Sequence, residues 1–519
     1  MQTSVGEVTF DQKATAEVIK NLRNSVRAGM DYFINPKNTI GVIVSAYHSD
    51  GGKTDVNGIT NISPTYNGVS HSTNDNVNSG GTNGIQVNAN YQATFNKPGQ
   101  QLNFDLDYAR FNSNPFQQIK NSYYDADGVI VGDIEQLRNR NPQTIDVYSA
   151  KVDYVQPLWK GARMETGAKV SQTETDNDLK FDIFVGNDWQ VDANQTNRFI
   201  YKEQIDAAYF NLSQQLGKFS LQAGLRGEYT WSEGKQMTTG EVNDTSYFNL
   251  FPTFFVNYTA SPKHTFGLSY SRRLSRPSYS QLNPFEMAIN AYSFMKGNPN
   301  LTPAYTHNVQ LSHTFAQGLM TRVGYSHTTD LITMAPFIDT ATERYGLTNI
   351  NFGKSQNLNA MVNYRKQVVK IWTANMTVQG SYLEETSGEF VSKGSSFTFQ
   401  LSNNFTITPT LSAELTGMYI TGMRQGYLEF DPFGNISIGL RQMLLKNKMT
   451  LSINVNDIFY TSGMKGSAKY DNVNYTMFNE WESRNVNLRL SYNFGSTTIR
   501  AARNKSTGIE DETSRAGGR

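Results

Sequence analysis

The 519-residue chain contains no cysteine, and this absence excludes disulfide bridges, cysteine-ligated metals and thiol catalysis. It also lacks an excess of charge of one sign, since 46 Lys and Arg stand against 45 Asp and Glu. Nucleic-acid binding requires clustered basic residues, so no nucleic-acid partner is predicted. No run approaches the roughly 20 apolar residues of a membrane-spanning helix. Residues 1–20 lack a basic segment followed by an apolar one, so no signal peptide is visible.

Residues that could form a catalytic or metal site are sparse. None of the six histidines lies in an HExxH pattern; they are His48, His71, His264, His307, His313 and His327. His307 and His313 share one predicted strand and one face, which leaves a paired metal site conceivable, although ordinary barrel residues are favoured. Asp125-Ala126-Asp127-Gly128 resembles part of a calcium loop. However, Tyr123 and Ile134 occupy positions where carboxylates belong, so an Asp-Gly turn is favoured. With no GxSxG, Walker or dinucleotide motif, the sequence predicts no enzyme, no cofactor and no catalytic or metal site.

Short turns and long loops alternate along nearly the whole chain. Nine turns of two to four residues are separated by much longer loops. The turns are Asn35-Pro36-Lys37-Asn38, Asn96-Lys97-Pro98-Gly99, Trp159-Lys160-Gly161, Leu216-Gly217-Lys218, Ser261-Pro262-Lys263, Ala316-Gln317-Gly318, Val368-Val369-Lys370, Thr408-Pro409 and Lys446-Asn447-Lys448. Transmembrane β-barrels have this asymmetry, with tight turns on the periplasmic side and longer loops outside.

Between the turns, apolar and polar residues alternate with a period of two. Ile85, Val87 and Ala89 oppose Gln86, Asn88 and Asn90, and similar alternation recurs in later segments. One face carries charge freely, as in Lys151/Asp153, Arg163/Glu165/Lys169 and Arg226/Glu228. On a lipid-facing surface, a mid-membrane Arg or Lys would cost roughly 2–4 kcal/mol. The polar face is therefore predicted to line the lumen. The 28 Tyr and 30 Phe suit interfacial aromatic girdles.

Nineteen strands are predicted, starting near residues 25, 38, 84, 100, 143, 161, 204, 219, 248, 264, 304, 318, 356, 371, 395, 410, 433, 449 and 485. The first and last both run toward the periplasmic side, whereas bacterial barrels close with an even number of strands. We therefore expect an odd number of strands to be missing from the front. One more strand would give twenty and three would give twenty-two, so the barrel is expected to be incomplete as written.

Several motifs resemble those of a known family. They are Tyr270-Ser271-Arg272-Arg273-Leu274-Ser275-Arg276-Pro277-Ser278-Tyr279, Leu282-Asn283-Pro284-Phe285, Lys296-Gly297-Asn298-Pro299-Asn300-Leu301-Thr302-Pro303, Arg226-Gly227-Glu228-Tyr229 and Asn456-Asp457-Ile458-Phe459. Together they resemble the barrel portion of TonB-dependent outer-membrane receptors, in their outer-membrane β-barrel branch, over essentially the whole chain. The resemblance implies twenty-two strands, a plug domain in the lumen and a short box that couples the plug to TonB. The sequence shows no plug or box, so on this reading it begins near the third strand.

The predicted organisation has three parts. Residues 1–24 are expected to be a partial strand or extracellular loop, 25–495 the transmembrane β-barrel, and 496–519 a disordered periplasmic tail. Residues of the lumen or its rim are predicted to be Arg163, Glu165, Arg226, Glu228, Arg272, Arg273 and Arg276. The last three arginines could line a substrate route, but pairing with loop carboxylates where a strand leaves the bilayer is favoured. Loop 49–83 could contact a ligand or be mobile.

The sequence thus predicts a receptor or transport barrel in the cell outer membrane. It is expected to be the barrel of a TonB-dependent importer of a siderophore, oligosaccharide or peptide. The alternative is a plugless pore or a structural or adhesive barrel, and a soluble all-β protein is a third possibility. Expected partners are outer-membrane lipid and the barrel assembly machinery, with a plug domain and TonB in a full-length protein. Nothing in the sequence identifies the ligand.

Overall fold

The structure, a computed structural model, describes residues 2–5, 8–19, 22–193, 195–290, 293–316, 318–339, 344–388, 390–470, 473–494 and 507–516. Most of these residues belong to β-strands, and the described ranges include two short helices. No helix within those ranges is both long and apolar enough to cross a membrane.

The strands before the first helix are β1 Gln2–Val5, β2 Val8–Ile19, β3 Arg23–Asn35, β4 Asn38–Ser49, β5 Lys53–Tyr66, β6 Val69–Ser79, β7 Thr82–Thr94, β8 Gln101–Ser113, β9 Phe116–Tyr124, β10 Glu135–Arg140, β11 Gln143–Pro157, β12 Ala162–Val185, β13 Asp188–Val191, β14 Asn197–Leu216, β15 Phe219–Gln236, β16 Val242–Ser261 and β17 His264–Ser275. Helix α1 is Tyr279–Leu282. After it come β18 Glu286–Asn290, β19 Ser293–Lys296, β20 Ala304–Phe315, β21 Leu319–Thr329, β22 Ile332–Asp339, β23 Arg344–Asn351, β24 Lys354–Val369, β25 Trp372–Ser387, β26 Phe390–Thr406, β27 Leu411–Ile420, β28 Met423–Gln425, β29 Leu428–Phe430, β30 Phe433–Leu444, β31 Met449–Asn456, β32 Met464–Tyr470, β33 Val473–Asn479 and β34 Asn485–Tyr492. Helix α2 is Glu510–Arg515.

Nineteen strands of the described chain form one antiparallel sheet, the barrel sheet, in which each strand pairs with the next. Their order is β3, β4, β7, β8, β11, β12, β14, β15, β16, β17, β20, β21, β24, β25, β26, β27, β30, β31 and β34. Short turns join the pairs at the predicted places, although Gln317 of one predicted turn lies outside the described residues. The predicted antiparallel up-and-down β-barrel class and its nineteen strands are confirmed.

Period-two alternation sets the two faces of each barrel strand. In β8 the even-numbered Leu106 is 47% exposed, while the odd-numbered Asp107 is 5% exposed. The Asn88 amide of β7 donates to Asp107 at 2.7 Å and to Asp105 at 3.3 Å. Buried polar groups require such partners, and these hydrogen bonds supply them on the polar face of β7 and β8. The apolar face is left outward, where lipid replaces water as the solvent.

The barrel sheet is open between β3 and β34, because no ladder joins these two strands in the described part of the chain. Their outward side chains are strongly exposed, with Met30 at 71% and Leu488 at 70%. The hairpin β1–β2 lies above this opening, since β2 pairs with β5 and β1 pairs with β33. Residues 1–24 are predicted to be a partial strand or extracellular loop; within them, β2 and β1 pair with strands that belong to the two sides of the opening.

Beyond the barrel, twelve described strands form a continuous ladder that we term the outer layer. Its order is β13, β12, β10, β9, β6, β5, β2, β1, β33, β32, β29 and β28, with β12 shared with the barrel sheet. Loop 49–83, expected either to contact a ligand or to be mobile, is largely the hairpin β5–β6 of this layer. Residues Ile62 and Asn76 of that hairpin are buried. Several long loops are therefore extensions of the barrel strands.

A smaller sheet and helix α1 fold over the same end of the barrel. Strands β18, β19, β23 and β22 pair in that order, with β19 and β23 parallel. Ser278 begins α1 with a capping box, in which its hydroxyl accepts from the Gln281 N–H and the Gln281 side chain accepts from the Ser278 N–H. Tyr279 and Leu282 of α1 are buried. The chain after β17 therefore turns into the protein rather than out to solvent.

The C-terminal segment is described in part. Residues 496–519 are predicted to be a disordered periplasmic tail; of these, residues 507–516 contain α2 and contact the lumen wall. The composition of the tail, polar and rich in charge, resembles that of disordered segments, but two of its charges meet partners of opposite sign on the wall. Residues 495–506 and 517–519 lie outside the described residues.

Asp457 anchors the connection between β31 and the outer layer. It is 2% exposed and accepts from the backbone N–H groups of Thr461 and Ser462, each at 3.0 Å, and from the Ser483 hydroxyl. Burial raises the pKa of the Asp457 carboxyl, but these hydrogen bonds outweigh it and hold the pKa at about 2.

Asp457→Asn is expected to loosen this connection, because an amide has one acceptor oxygen where the carboxylate has two. We expect amide hydrogen exchange at Thr461 and Ser462 to accelerate about tenfold, consistent with the loss of one hydrogen bond to a charged group. The folded-state pKa is depressed, so the stabilisation is complete above about pH 4 and is lost as pH falls toward about 2. The exposed Glu482, changed to Gln, is the matched control. Equal exchange rates in the two variants would contradict the anchoring role.

Candidate functional site

Three of the predicted lumen residues meet in one buried cluster. Arg226 Nε donates to Glu228 Oε1 at 2.6 Å, and Arg276 Nη2 donates to Glu228 Oε2 at 2.7 Å. Arg276 also donates to Thr230 Oγ1 at 3.0 Å. The side chains of Glu228 and Arg276 are each 11% exposed. One carboxylate is thus shared by two guanidinium groups in a poorly solvated place.

The local sequence explains this arrangement. Arg226, Glu228 and Thr230 lie at alternate positions of β15 and therefore point to the same face. Strand β17 ends at Ser275, and Pro277 follows Arg276, which leads the chain inward to α1. Burial lowers the pKa of Arg276, but the nearby Tyr247, Glu228 and Glu203 outweigh it and raise that pKa.

A second buried carboxylate, Glu203, lies on the neighbouring strand β14. Its Oε1 accepts from the Tyr201 hydroxyl at 2.9 Å and from Arg515 Nη2 at 3.2 Å, and Arg515 Nη1 donates to Oε2. Arg515 Nε donates to the Pro277 carbonyl at 2.9 Å, and the guanidinium carbon lies 4.4 Å from the Tyr279 ring centroid. Burial raises the pKa of Tyr279 to about 12, so its hydroxyl stays protonated at neutral pH.

Apolar side chains pack against this charged region. The cluster consists of Ala109, Phe111, Ile145, Val147, Phe199, Tyr201, Tyr279, Leu282, Leu301 and Ile509. It therefore joins the lumen faces of β8, β11 and β14 to α1 and to the C-terminal segment. We term this group of polar and apolar residues on β8, β11, β12, β14 and β15, together with Arg276 after β17, the lumen site.

The other predicted residues lie elsewhere. Arg163 Nη2 lies 2.6 Å from Glu165 Oε1, close to the short turn that precedes β12. These two side chains are 55% and 34% exposed. Arg272 crosses the gap where β16 and β17 separate, and it donates to the Leu250 carbonyl at 2.6 Å. Arg273 is exposed and pairs in register with Thr306. The lumen site therefore includes Arg226, Glu228 and Arg276 of the seven predicted residues.

Sequence reasoning missed Glu203, Tyr201 and the C-terminal partners as site residues. The alternation of Phe199, Tyr201, Glu203 and Ile205 on β14 was a usable signal for the wall residues. No comparable signal linked Arg515 to Glu203, since 312 residues separate them.

The two histidines considered as a metal pair have separate partners. His307 Nδ1 lies 3.0 Å from the Tyr270 hydroxyl, and His313 Nε2 lies 3.0 Å from His264 Nδ1. In the Asp125–Gly128 segment, Asp125 Oδ1 accepts from the Asp127 and Val129 N–H groups, which is the geometry of an Asx turn. Within the described residues, no group of three or more potential metal ligands comes together.

The lumen site can bind a polar solute by charge and hydrogen bonds. Arg226 and Arg276 pair there with the carboxylate of Glu228, and Lys169 and Glu203 pair with Glu512 and Arg515 of the C-terminal segment, in surroundings that exclude much of the water. Charged hydrogen bonds in such surroundings are stronger than they are in water.

Comparison with known protein families identifies one that matches most of the chain. Residues 93–492 match a family model described as "Outer membrane protein beta-barrel family". A search of curated protein sequences finds no match.

Among solved structures, the fold is similar to several outer-membrane receptors. The ferric yersiniabactin uptake receptor of Yersinia pestis has 11% identity and a TM-score of 0.49, covering 92% of this chain and 80% of that one. The siderophore receptor PirA from Pseudomonas aeruginosa has 12% identity and a TM-score of 0.45, covering 88% and 80%. The ferric citrate transporter FecA has 9% identity and a TM-score of 0.46, covering 91% and 78%.

Proposed function

Because the chain belongs to the outer membrane protein β-barrel family, we propose that it acts in the cell outer membrane as the barrel of an energised nutrient importer. The nutrient is a siderophore, an oligosaccharide or a peptide that passes through the lumen. TonB and a plug domain supply the coupling, and the barrel assembly machinery inserts the strands. The protein carries out no catalysis in this proposal.

The observation that supports import is the buried lumen site. A passive pore conducts through a solvated lumen. Here Glu203, Glu228 and Arg276 are buried under α1 and residues 507–516. A solute can reach this wall only when the covering segments move, and such movement is what an energised importer supplies.

Uptake by cells tests the proposal. Cells that express the full-length protein are compared with deletion cells for accumulation of labelled siderophores, oligosaccharides and peptides. We expect saturable uptake of one class, and we expect it to be lost when a protonophore collapses the inner-membrane proton gradient. Uptake that is unchanged by the protonophore and that decreases smoothly as solutes become larger would contradict energised import.

A plugless pore or an adhesive barrel is the second candidate. The outer layer favours it, because twelve paired strands in the described residues extend the barrel outward, and the β5–β6 hairpin among them is rich in Asn, Ser and Thr. An adhesive role predicts that removal of the β5–β6 hairpin abolishes attachment to a surface while solute uptake is unchanged.

A further inference from the structure

The C-terminal segment 507–516 contacts the lumen site at three polar points. The Gly508 N–H donates to Asp107 Oδ2 of β8 at 3.0 Å. Lys169 Nζ of β12 donates to Glu512 Oε1 at 2.8 Å and to Oε2 at 3.0 Å. Arg515 donates to Glu203 of β14 through both Nη atoms. The segment therefore lies across neighbouring strands of the wall.

These contacts are complementary in charge. In each of the two ion pairs, one side chain is 11% exposed and the other 3%. The wall supplies the cation Lys169 in one pair and the anion Glu203 in the other. A buried ion left without its partner is strongly unfavourable, so the segment and the wall satisfy each other.

The pattern along the segment fits one helical face. Ile509, Glu512 and Thr513 are buried, whereas the intervening Glu510 and Asp511 are exposed. Spacings of three and four residues place the buried positions on the same side of a helix. Ile509 is 0% exposed and packs in the apolar cluster of the lumen wall. The segment thus binds as an amphipathic peptide, with an apolar anchor, an acid and a base.

We propose that the lumen site is a peptide-binding site, that the chain's own residues 507–516 are its occupant, and that this occupant restricts passage through the lumen until it is displaced. The ligand class is a short amphipathic peptide with an acid and a base three residues apart, as in Glu512 and Arg515. This inference extends beyond the proposed import function, because it concerns what covers this part of the lumen wall at rest and does not depend on the transported solute.

Disulfide trapping tests the occupancy. A Cβ atom placed on Gly508 would lie 3.7 Å from Asp107 Cγ, so cysteines at these two positions are within bonding reach. The 519 residues include no cysteine, so the two new thiols are the only ones among them. In native outer membranes, Asp107→Cys with Gly508→Cys is expected to form an intramolecular disulfide under mild oxidation, detected by mass spectrometry of the linked peptides.

The matched control moves the wall cysteine by one residue. Leu106 neighbours Asp107 but is 47% exposed on the lipid-facing side. Leu106→Cys with Gly508→Cys is therefore expected to give no link. Equal yields from the two pairs, or no link from the Asp107 pair, would overturn the proposal.

Charge reversal tests the recognition in the same double-cysteine background. Arg515→Glu is expected to lower the occupancy of the site about a hundredfold, which matches the loss of a buried ion pair. Adding Glu203→Arg restores opposite charges and is expected to recover most of the linkage. The exposed Asp511, changed to Lys, is expected to leave linkage unchanged. Failure of the restored pair to recover linkage would overturn the charge-based recognition.

Conductance tests the restriction. The 519-residue chain and a variant of it lacking residues 507–519 are compared in planar bilayers, after heat-modifiable gel migration shows that both are folded. We expect the deletion to raise single-channel conductance, and we expect the disulfide-linked form to keep the low value. Equal conductance in all forms would overturn the restriction. These measurements need neither the nutrient nor TonB, so their failure is distinguishable from failure of the import proposal.

Discussion

Glu228→Ala is expected to lower the free energy of unfolding by about 3 kcal/mol, because it removes the one carboxylate that Arg226 and Arg276 share. The loss is large because Arg276 is 11% exposed, so water cannot replace the missing partner. The two guanidinium groups would then face each other without an intervening anion. Urea titration of the protein in lipid vesicles, followed by tryptophan fluorescence, measures the change.

Two further variants calibrate this effect. Glu165→Ala breaks the Arg163 pair on the same barrel, but those side chains are 55% and 34% exposed, so we expect a loss below about 1 kcal/mol. Glu228→Gln keeps the size of the side chain and one acceptor oxygen, so its loss in free energy of unfolding is expected to lie between those of the two alanine variants. If Glu228→Ala and Glu165→Ala cost the same, burial does not set the strength of the cluster.

The barrel sheet was predictable from the sequence because its physical rule is local. A strand with one face in lipid and one in a polar lumen must alternate, and Arg226 and Glu228 could be assigned to the lumen from position alone. Strand β15 begins at Phe219, as predicted, because a tight turn containing Gly217 precedes it. At Gly217 the backbone has φ +57°, which glycine adopts without strain.

The outer layer was less predictable. Its strands, such as β5 and β6, are rich in Asn, Ser and Thr, and backbone pairing rather than an apolar face defines them. Composition of this kind resembles that of mobile loops. For the same reason β14 begins at Asn197, seven residues before the predicted start at 204, since the strand continues beyond the lipid-facing band.

The contacts of residues 507–516 could not be predicted from sequence at all. The pair of Lys169 and Glu512 joins positions 343 residues apart, and neither neighbourhood carries a motif that names the other. Such contacts depend on where the folded barrel places its charges. Local rules therefore define the wall of the lumen, and tertiary structure defines what the wall binds.

Leu225→Arg is expected to make folding into a bilayer less favourable by about 2–4 kcal/mol, the cost of an arginine near the membrane midplane. Leu225 is 48% exposed and lies beside Phe210 and Pro252 in register, on the face opposite Arg226. The sequence already places an arginine at the next position without such a cost, because Arg226 points into the lumen and pairs with Glu228. Positions 225 and 226 lie at nearly the same depth in the membrane, so comparing an arginine at each one measures the effect of the strand face alone. Folding into lipid vesicles, measured by the heat-modifiable fraction on gels, gives the change.

Gln222→Arg is the matched control, because it adds the same charge to β15 on the face that carries Arg226. It is expected to change the free energy by less than about 1 kcal/mol, since an arginine in the polar lumen keeps its hydration. If both variants folded equally well, Leu225 would not face lipid and the register of β15 would be wrong by one residue. If Gln222→Arg alone failed to fold, the two faces would be reversed. A selective loss in Leu225→Arg is the outcome that the alternating strand requires.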